Sequence, residues 1–203
     1  MTNQLGSVSL IKKIIVLTVV IFCTTYVYSQ NVTTYNTYTD YIGDKGVSQG
    51  EYKKWKFSSF TGIILFLDDD GDKVKVFLKD IWGFEYKGYL FRVFREKLPA
   101  MVVEKGEMLY YESGIAHLEM LTKHKTTGEF SLGPYCFVSF GLNGEVISCP
   151  VQKHSSLPYK YFKKYRKTHP QYEGVLKCLD DCDFDYKIVR LCVINYNKNL
   201  EEY

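Results

Sequence analysis

Between Tyr52 and Val146, short apolar runs alternate with charged positions and are broken by glycine, aspartate and asparagine. Trp55 and Phe57 alternate with Lys54 and Lys56. Ile63–Leu67 is continuously apolar and runs into Asp68, Asp69, Asp70, Gly71 and Asp72. Val74, Val76 and Leu78 then alternate with Lys73, Lys75 and Lys79, with Phe77 on the polar face. A period of two with one wet face predicts antiparallel strands. Residues 81–86 and 89–94 flank Lys87 and Gly88, and residues 101–104 and 107–111 flank Lys105 and Gly106, so two tight hairpins are expected. Ala116, Leu118 and Met120 read as the apolar face of a further strand, opposite Ile115, His117 and Glu119. Residues 130–132 and 135–141 form two more runs around Gly133 and Pro134. Asn143 and Gly144 are the strongest hairpin signal in the chain, joining 137–140 to 146–149.

After a linker at 150–158 the period changes. Leu157, Tyr161, Phe162 and Tyr165 fall on one helical stripe, which His169 and Pro170 end. Val175, Leu176 and Leu179 predict a short second helix, and Ile188, Val189, Cys192, Val193 and Tyr196 a third. Such stripes need a surface to cover, and the sheet is the nearest. The expected class is α+β: an antiparallel β-meander of roughly nine or ten strands, barrel-like or strongly curved, followed by two or three C-terminal helices.

The N-terminus does not fit this pattern. Lys12 and Lys13 precede an uncharged run over 14–22, and Val27 and Ser29 suit the −3 and −1 positions of a signal-peptidase site. These features describe a secretory signal peptide that leaves Gln30 first. The alternative, a retained single-pass anchor, is weakened by Thr18, Thr24 and Thr25, because a spanning helix wants about 20 apolar residues. Acylation at Cys23 would follow the bulky Phe22 and is disfavoured. The expected organisation is a leader over 1–29, an extended arm or first edge strand with a loop over 30–50, an antiparallel β domain over 51–150 and a helical segment over 151–203.

Composition sharpens this. Aromatic residues make up 16%, with 18 Tyr and 13 Phe against 2 Trp, which favours pleated structure. Hydrophobic residues at 46% and charged residues at 24% exclude a disordered chain. The formal charge of +3 is too mild to indicate nucleic acid. Cleavage after Ser29 would remove two lysines and no acid, leaving +1.

An exported chain would meet an oxidising compartment, where disulfides persist. Cys136, Cys149, Cys178, Cys182 and Cys192 remain after cleavage, an odd number. A two-residue turn at Asn143 and Gly144 would set Cys136 and Cys149 diagonally, about 7–8 Å apart and too far for a relaxed bridge; a two-residue shift would bring them opposite. Cys178 or Cys182 joined to Cys192 would staple the last two helices. The plain alternative is that all five are small buried hydrophobes. No metal is expected: Cys178 and Cys182 have no neighbouring histidine, and the position of the Glu that would close a calcium loop begun at Asp68 holds Lys79. No cofactor is expected either, since glycine-rich nucleotide loops are absent. His117 and Glu119 would share a strand face as an acid–base pair, although no recognisable nucleophile motif accompanies them. Lys160, Lys163, Lys164, Arg166 and Lys167 form a basic cluster on the first helix, suited to phosphate, lipid A or an acidic glycan, or simply its solvated face.

Asp80 to Phe84 with Trp82 and Gly83, then Lys87, Gly88, Phe91 and Arg92, resembles a pattern in exported proteins of Bacteroidota. Glu104, Lys105 and Gly106 with Tyr110 and Tyr111, and a tail near Asn195, Tyr196 and Asn197, continue the resemblance. It implies location and architecture, no activity and no catalytic residues. The expected function is therefore that of a non-enzymatic exported β-rich module, periplasmic, surface-associated or secreted, that binds an envelope or surface partner or gives structural support. The alternatives are a carrier of a small apolar ligand, with Trp82, Phe84, Phe91 and Tyr110 lining a barrel cavity, or a hydrolase using His117 and Glu119.

Overall fold

The computed structural model describes residues 31–58, 60–68, 70–115, 117–118, 136–149, 157–181 and 185–201. The leader over 1–29, the strand expected at 130–132, Ala116, Glu119, Met120 and Cys182 lie outside the described residues. The described chain is an antiparallel meander followed by three helices, an α+β architecture. Strands β1 (Asn31–Tyr35), β2 (Val47–Glu51), β6 (Gly83–Tyr86), β7 (Tyr89–Phe94), β8 (Leu98–Glu104), β9 (Met108–Ser113), β10 (Cys136–Phe140) and β11 (Ile147–Ser148) form one sheet. Its order is β11-β10-β9-β8-β7-β6-β1-β2, and it does not close, which settles the choice in favour of a strongly curved sheet over a barrel. Strands β3 (Lys54–Ser58), β4 (Ile63–Leu67) and β5 (Lys73–Phe77) form a second, three-stranded sheet.

Alternation along the strands sorts the core. One face of the large sheet is covered by two neighbouring layers. At the β6–β8 end, Trp55, Ile64, Phe66 and Val76 of the small sheet pack onto Phe84, Phe91, Val93 and Met101. At the β9–β11 end, helices α2 (Leu157–Thr168), α3 (Glu173–Asp181) and α4 (Tyr186–Glu201) bring Phe162, Val175, Leu176, Leu179, Val189 and Val193 onto Met108, Tyr110, Val138 and Ile147. Val103 touches both layers. The opposite face gathers Leu90, Phe94, Ala100, Val102, Leu109, Tyr111 and Phe137. Tyr41 of helix α1 (Tyr38–Ile42) and Leu142 and Val146 of the β10–β11 loop pack against it.

Local sequence explains the turns. Lys87 and Gly88 both have positive φ, 52° and 77°, between the paired Tyr86 and Tyr89, which is a two-residue turn whose twist matches the strands it joins. At the small sheet's tip, the Asp68 carboxylate accepts the Asp72 N–H at 2.8 Å.

Glu104 faces Tyr110, so Lys105 and Gly106 do not close the second two-residue hairpin. Four further expectations are corrected. The 30–50 stretch is neither an extended arm nor a first edge strand with a loop: β1 lies between β6 and β2 inside the large sheet, and α1 stands between β1 and β2. Thr37 and Asp40 nucleate α1 by exchanging side-chain and backbone bonds of 3.1 and 2.9 Å. The strand expected over 81–86 begins at Gly83, behind a 3-10 turn at Leu78–Asp80. His117 is not in a strand: Gly114, Ile115, His117 and Leu118 are helical, because Ile115 and Leu118 turn inward together to fill the core under the small sheet.

The fourth correction is the β10–β11 register. Phe137 faces Ser148 and Val138 faces Ile147, so Asn143 and Gly144 do not close a two-residue hairpin. Gly141 leaves the strand at φ 71°, and the Gly144 N–H bonds the Gly141 carbonyl at 3.1 Å. This shift of two residues sets Cys136 opposite Cys149, whose N–H donates to the Cys136 carbonyl at 3.0 Å. Both thiols are buried and not joined to each other. Cys178 is joined to Cys192, with 6.0 Å between their Cα atoms, stapling α3 to α4.

Candidate functional site

The four rings named as cavity-lining candidates fall among three different clusters of buried residues. Phe84 and Phe91 are cross-strand partners, stacked at 4.8 Å under the small sheet. Tyr110 is buried beneath the helices, and its hydroxyl donates to the Tyr186 carbonyl at 3.1 Å. Trp82 packs on the opposite face beside Tyr38 and Tyr41. Together the four rings serve three different parts of the core.

His117 meets a carboxylate, but that of Glu112: its Nε2 lies 2.7 Å from Glu112 Oε2. The imidazole contact holds the Glu112 carboxyl below its ordinary range, against the opposing effect of burial. His117 Nδ1 is buried and without a hydrogen-bond partner. Among the described residues, no group of three or more His, Cys, Asp or Glu side chains is placed to hold a metal ion.

The described residues do enclose a cleft of about 740 Å³, within the range of small-molecule sites. Three segments form its walls. The end of β7 contributes Arg92, Val93 and Phe94, followed by Arg95. The β10–β11 connection contributes Glu145 and Val146, followed by Ile147 and Ser148. Helix α2 contributes Tyr161, Lys164, Tyr165 and Thr168, with His169 just beyond it. The helix residues lie at i, i+3, i+4 and i+7, one face of an α-helix. Phe162, one position round, turns to the core instead. Tyr161, expected on the core stripe, is 57% exposed at this face.

Curvature assembles the walls. Three strand spacings separate β7 from β10, about 14 Å across a flat sheet. Yet Arg92 Nη2 donates to the Gly144 carbonyl at 2.7 Å, because the β10–β11 loop folds back over the curved face. Arg92 Nη1 donates to the Tyr111 hydroxyl at 3.3 Å, which in turn shares a 2.7 Å bond with Ser139. The guanidinium lies 5.9 Å from the centre of the Trp82 ring. Arg92 is only 9% exposed, its Nε has no hydrogen-bond partner, and no carboxylate among the described residues pairs with it. A charge removed from water without a counter-ion costs several kcal/mol.

The rim adds Arg95 and Lys164 against one acid, Glu145. Arg95 and Glu96 both sit in the left-handed region, at φ 50° and 59°, in a turn closed by the Lys97 N–H on the Phe94 carbonyl at 3.3 Å. Neither is glycine, so the turn stores strain beside the cleft. His169 stacks on Tyr165 at 3.8 Å, and its Nδ1 lies 3.0 Å from the Tyr165 carbonyl. The same Nδ1 lies 2.9 Å from the Thr168 hydroxyl. Burial, with help from Tyr172 and Glu145, pushes the Tyr165 hydroxyl up to about 12.

The basic cluster on α2 therefore divides. Lys164 lines the cleft. Arg166 turns to Glu173 and to Asp180, the latter at 2.9 Å, tying α2 to α3. Lys160, Lys163 and Lys167 are exposed. The sequence analysis names Arg92 only within the resemblance and not as a site residue; the signal that could have found it is a lone charge inside an apolar strand. No known protein family, no curated protein and no solved structure matches the chain.

Proposed function

We propose that the chain is an exported, non-enzymatic binding module of the periplasm or cell surface, and that the cleft between β7, β11 and α2 is its binding site. The carrying observation is Arg92: a buried guanidinium at a cleft wall, with its Nε unpartnered and no carboxylate among the described residues beside it. Folding alone gains little from such a group, since a well-packed apolar side chain of similar volume would serve the core as well or better. The Cys178–Cys192 bond is compatible with an oxidising compartment. The chemistry of the cleft suits holding a ligand: it has rings, cations and hydroxyls, and the Thr168 hydroxyl lies 2.9 Å from His169 Nδ1.

Two measurements test this reading. Cell fractionation with intact mass should find the protein outside the cytosol and shortened at Gln30; a full-length cytosolic product would sink the placement. A thermal-shift screen of soluble envelope components should yield compounds that stabilise the wild type and lose their effect in Tyr161→Ala. Stabilisers indifferent to that substitution would move the binding surface elsewhere.

A further inference from the structure

We propose that the cleft takes an oxyanion, phosphate or carboxylate, borne on a saccharide-sized body. This rests on the cleft being the binding site and adds the chemistry of its occupant. Arg92 Nε is the unmet donor, nine-tenths buried with the rest of its side chain, and Arg95 and Lys164 stand at the same cleft. Arg92, Arg95 and Lys164 face one carboxylate, Glu145, so the lining has a positive excess that a bound anion would neutralise. Because Nη1 and Nη2 are engaged with Tyr111 and Gly144, the fork cannot turn to embrace a ligand from both ends. The guanidinium supplies an unneutralised positive charge at the wall, and the rim cations supply the rest.

A bare oxyanion would leave most of a 740 Å³ cleft to water. The remaining walls indicate what fills it. Tyr161 and Tyr165 contribute aromatic surface, and Thr168, Ser148 and His169 contribute small polar groups. Rings with scattered hydroxyl partners suit a sugar ring, which is apolar on its faces and polar at its edge. The same oxyanion chemistry occurs in a sugar phosphate and in a uronic acid, and the experiment separates the two.

The test uses the full chain as purified from the exported fraction, with Cys178–Cys192 intact. Thermal midpoints are followed against glucose 6-phosphate, glucuronate, inorganic phosphate and glucose, with sodium chloride matching ionic strength throughout. At a ten-fold excess over the dissociation constant, a specific ligand should raise the midpoint by about 4 °C. The expected result is such a rise with glucose 6-phosphate or glucuronate, and none with glucose or chloride; whichever acid is effective identifies the oxyanion. Inorganic phosphate acting as strongly as glucose 6-phosphate would uphold the oxyanion and remove the sugar. Arg92→Met should melt at or above the wild type without ligand and lose the shift. The double variant Arg95→Ala, Lys164→Ala, altered only at the cleft lining, should weaken binding about ten-fold; Lys75→Ala, exposed on the small sheet, should not. Oxyanion shifts that persist in both cleft variants would overturn the proposal. If glucose alone stabilises the protein, and Tyr161→Ala abolishes the effect, the cleft binds a ligand but the oxyanion assignment is wrong.

Discussion

Asn197, on α4, offers a quantitative test of how the helical layer is fastened to the sheet. Its side-chain oxygen accepts the Met108 N–H at 3.0 Å, and its Nδ2 donates to the Met108 carbonyl at 2.8 Å. One amide thus satisfies both backbone groups of a fully buried residue at the start of β9, 89 positions away. In Asn197→Ala both groups lose their partner. Each unmet group costs about 1–3 kcal/mol, so the variant should lose about 2–6 kcal/mol. Gly106 supplies an independent handle. A Cβ there would collide with the Asn197 side-chain amide, so Gly106→Ala is accommodated only if the amide swings away and both bonds break. It should therefore cost nearly as much as Asn197→Ala. Once Asn197 is gone the obstacle is gone, and the double variant should be scarcely less stable than either single one. The coupling in a double-mutant cycle should be at least about 2 kcal/mol. Urea unfolding of the four proteins, with the disulfide intact, measures every corner. Additive single costs, or an Asn197→Ala effect below about 0.5 kcal/mol, would refute the clamp.

Three further outcomes are expected. Glu96→Gly should stabilise by about 0.5–1 kcal/mol, seen as a higher thermal midpoint, because glycine relieves the second of two left-handed residues; an unchanged or lower midpoint would mean that the turn stores no strain. Replacing Cys178 and Cys192 together by Ser opens a link across 14 residues and should cost about 3 kcal/mol in urea unfolding, whereas an unchanged midpoint would show that the link does not restrain the chain. The Glu112 carboxyl is held below its ordinary 4.5 by the His117 hydrogen bond, so its contribution is present above that value and fades as pH falls from 4.5 through the lower folded value. The acid limb of the stability curve should be shallower in Glu112→Gln; limbs that superimpose would argue against the pair.

Much of the meander was legible because strand, turn and burial share one local cause. Lys54 to Ser58 could bury Trp55 only by facing Lys54 and Lys56 outward, and it does so. Lys87 and Gly88 could hardly serve except as a tight turn. Helix α3 buries Val175, Leu176 and Leu179, the three positions its spacing marked. The failures have identifiable competitors. Asn143 and Gly144 carry a strong local preference, but Gly141 ends β10 earlier and Arg92 holds the Gly144 carbonyl from across the sheet, so a long-range bond shifts the register. At 114–118 the short apolar alternation fits strand and helix alike, and the core beneath the small sheet decides for the helix.

The candidate cleft was barely visible for the same reason. Lys164 stood out as one of several helix cations, while Arg92 and Glu145 were not read as site residues. Their meeting depends on how far the large sheet bends.

Alternation, helical spacing and turn chemistry act over a few residues, and these local terms alone determined that this chain makes antiparallel strands first and amphipathic helices afterwards. Which strands stand side by side, which face each helix covers and whether Arg92 keeps an empty N–H were decided by contacts between residues far apart in the chain. Such contacts depend on sheet curvature, a collective property of many strands that no short stretch encodes.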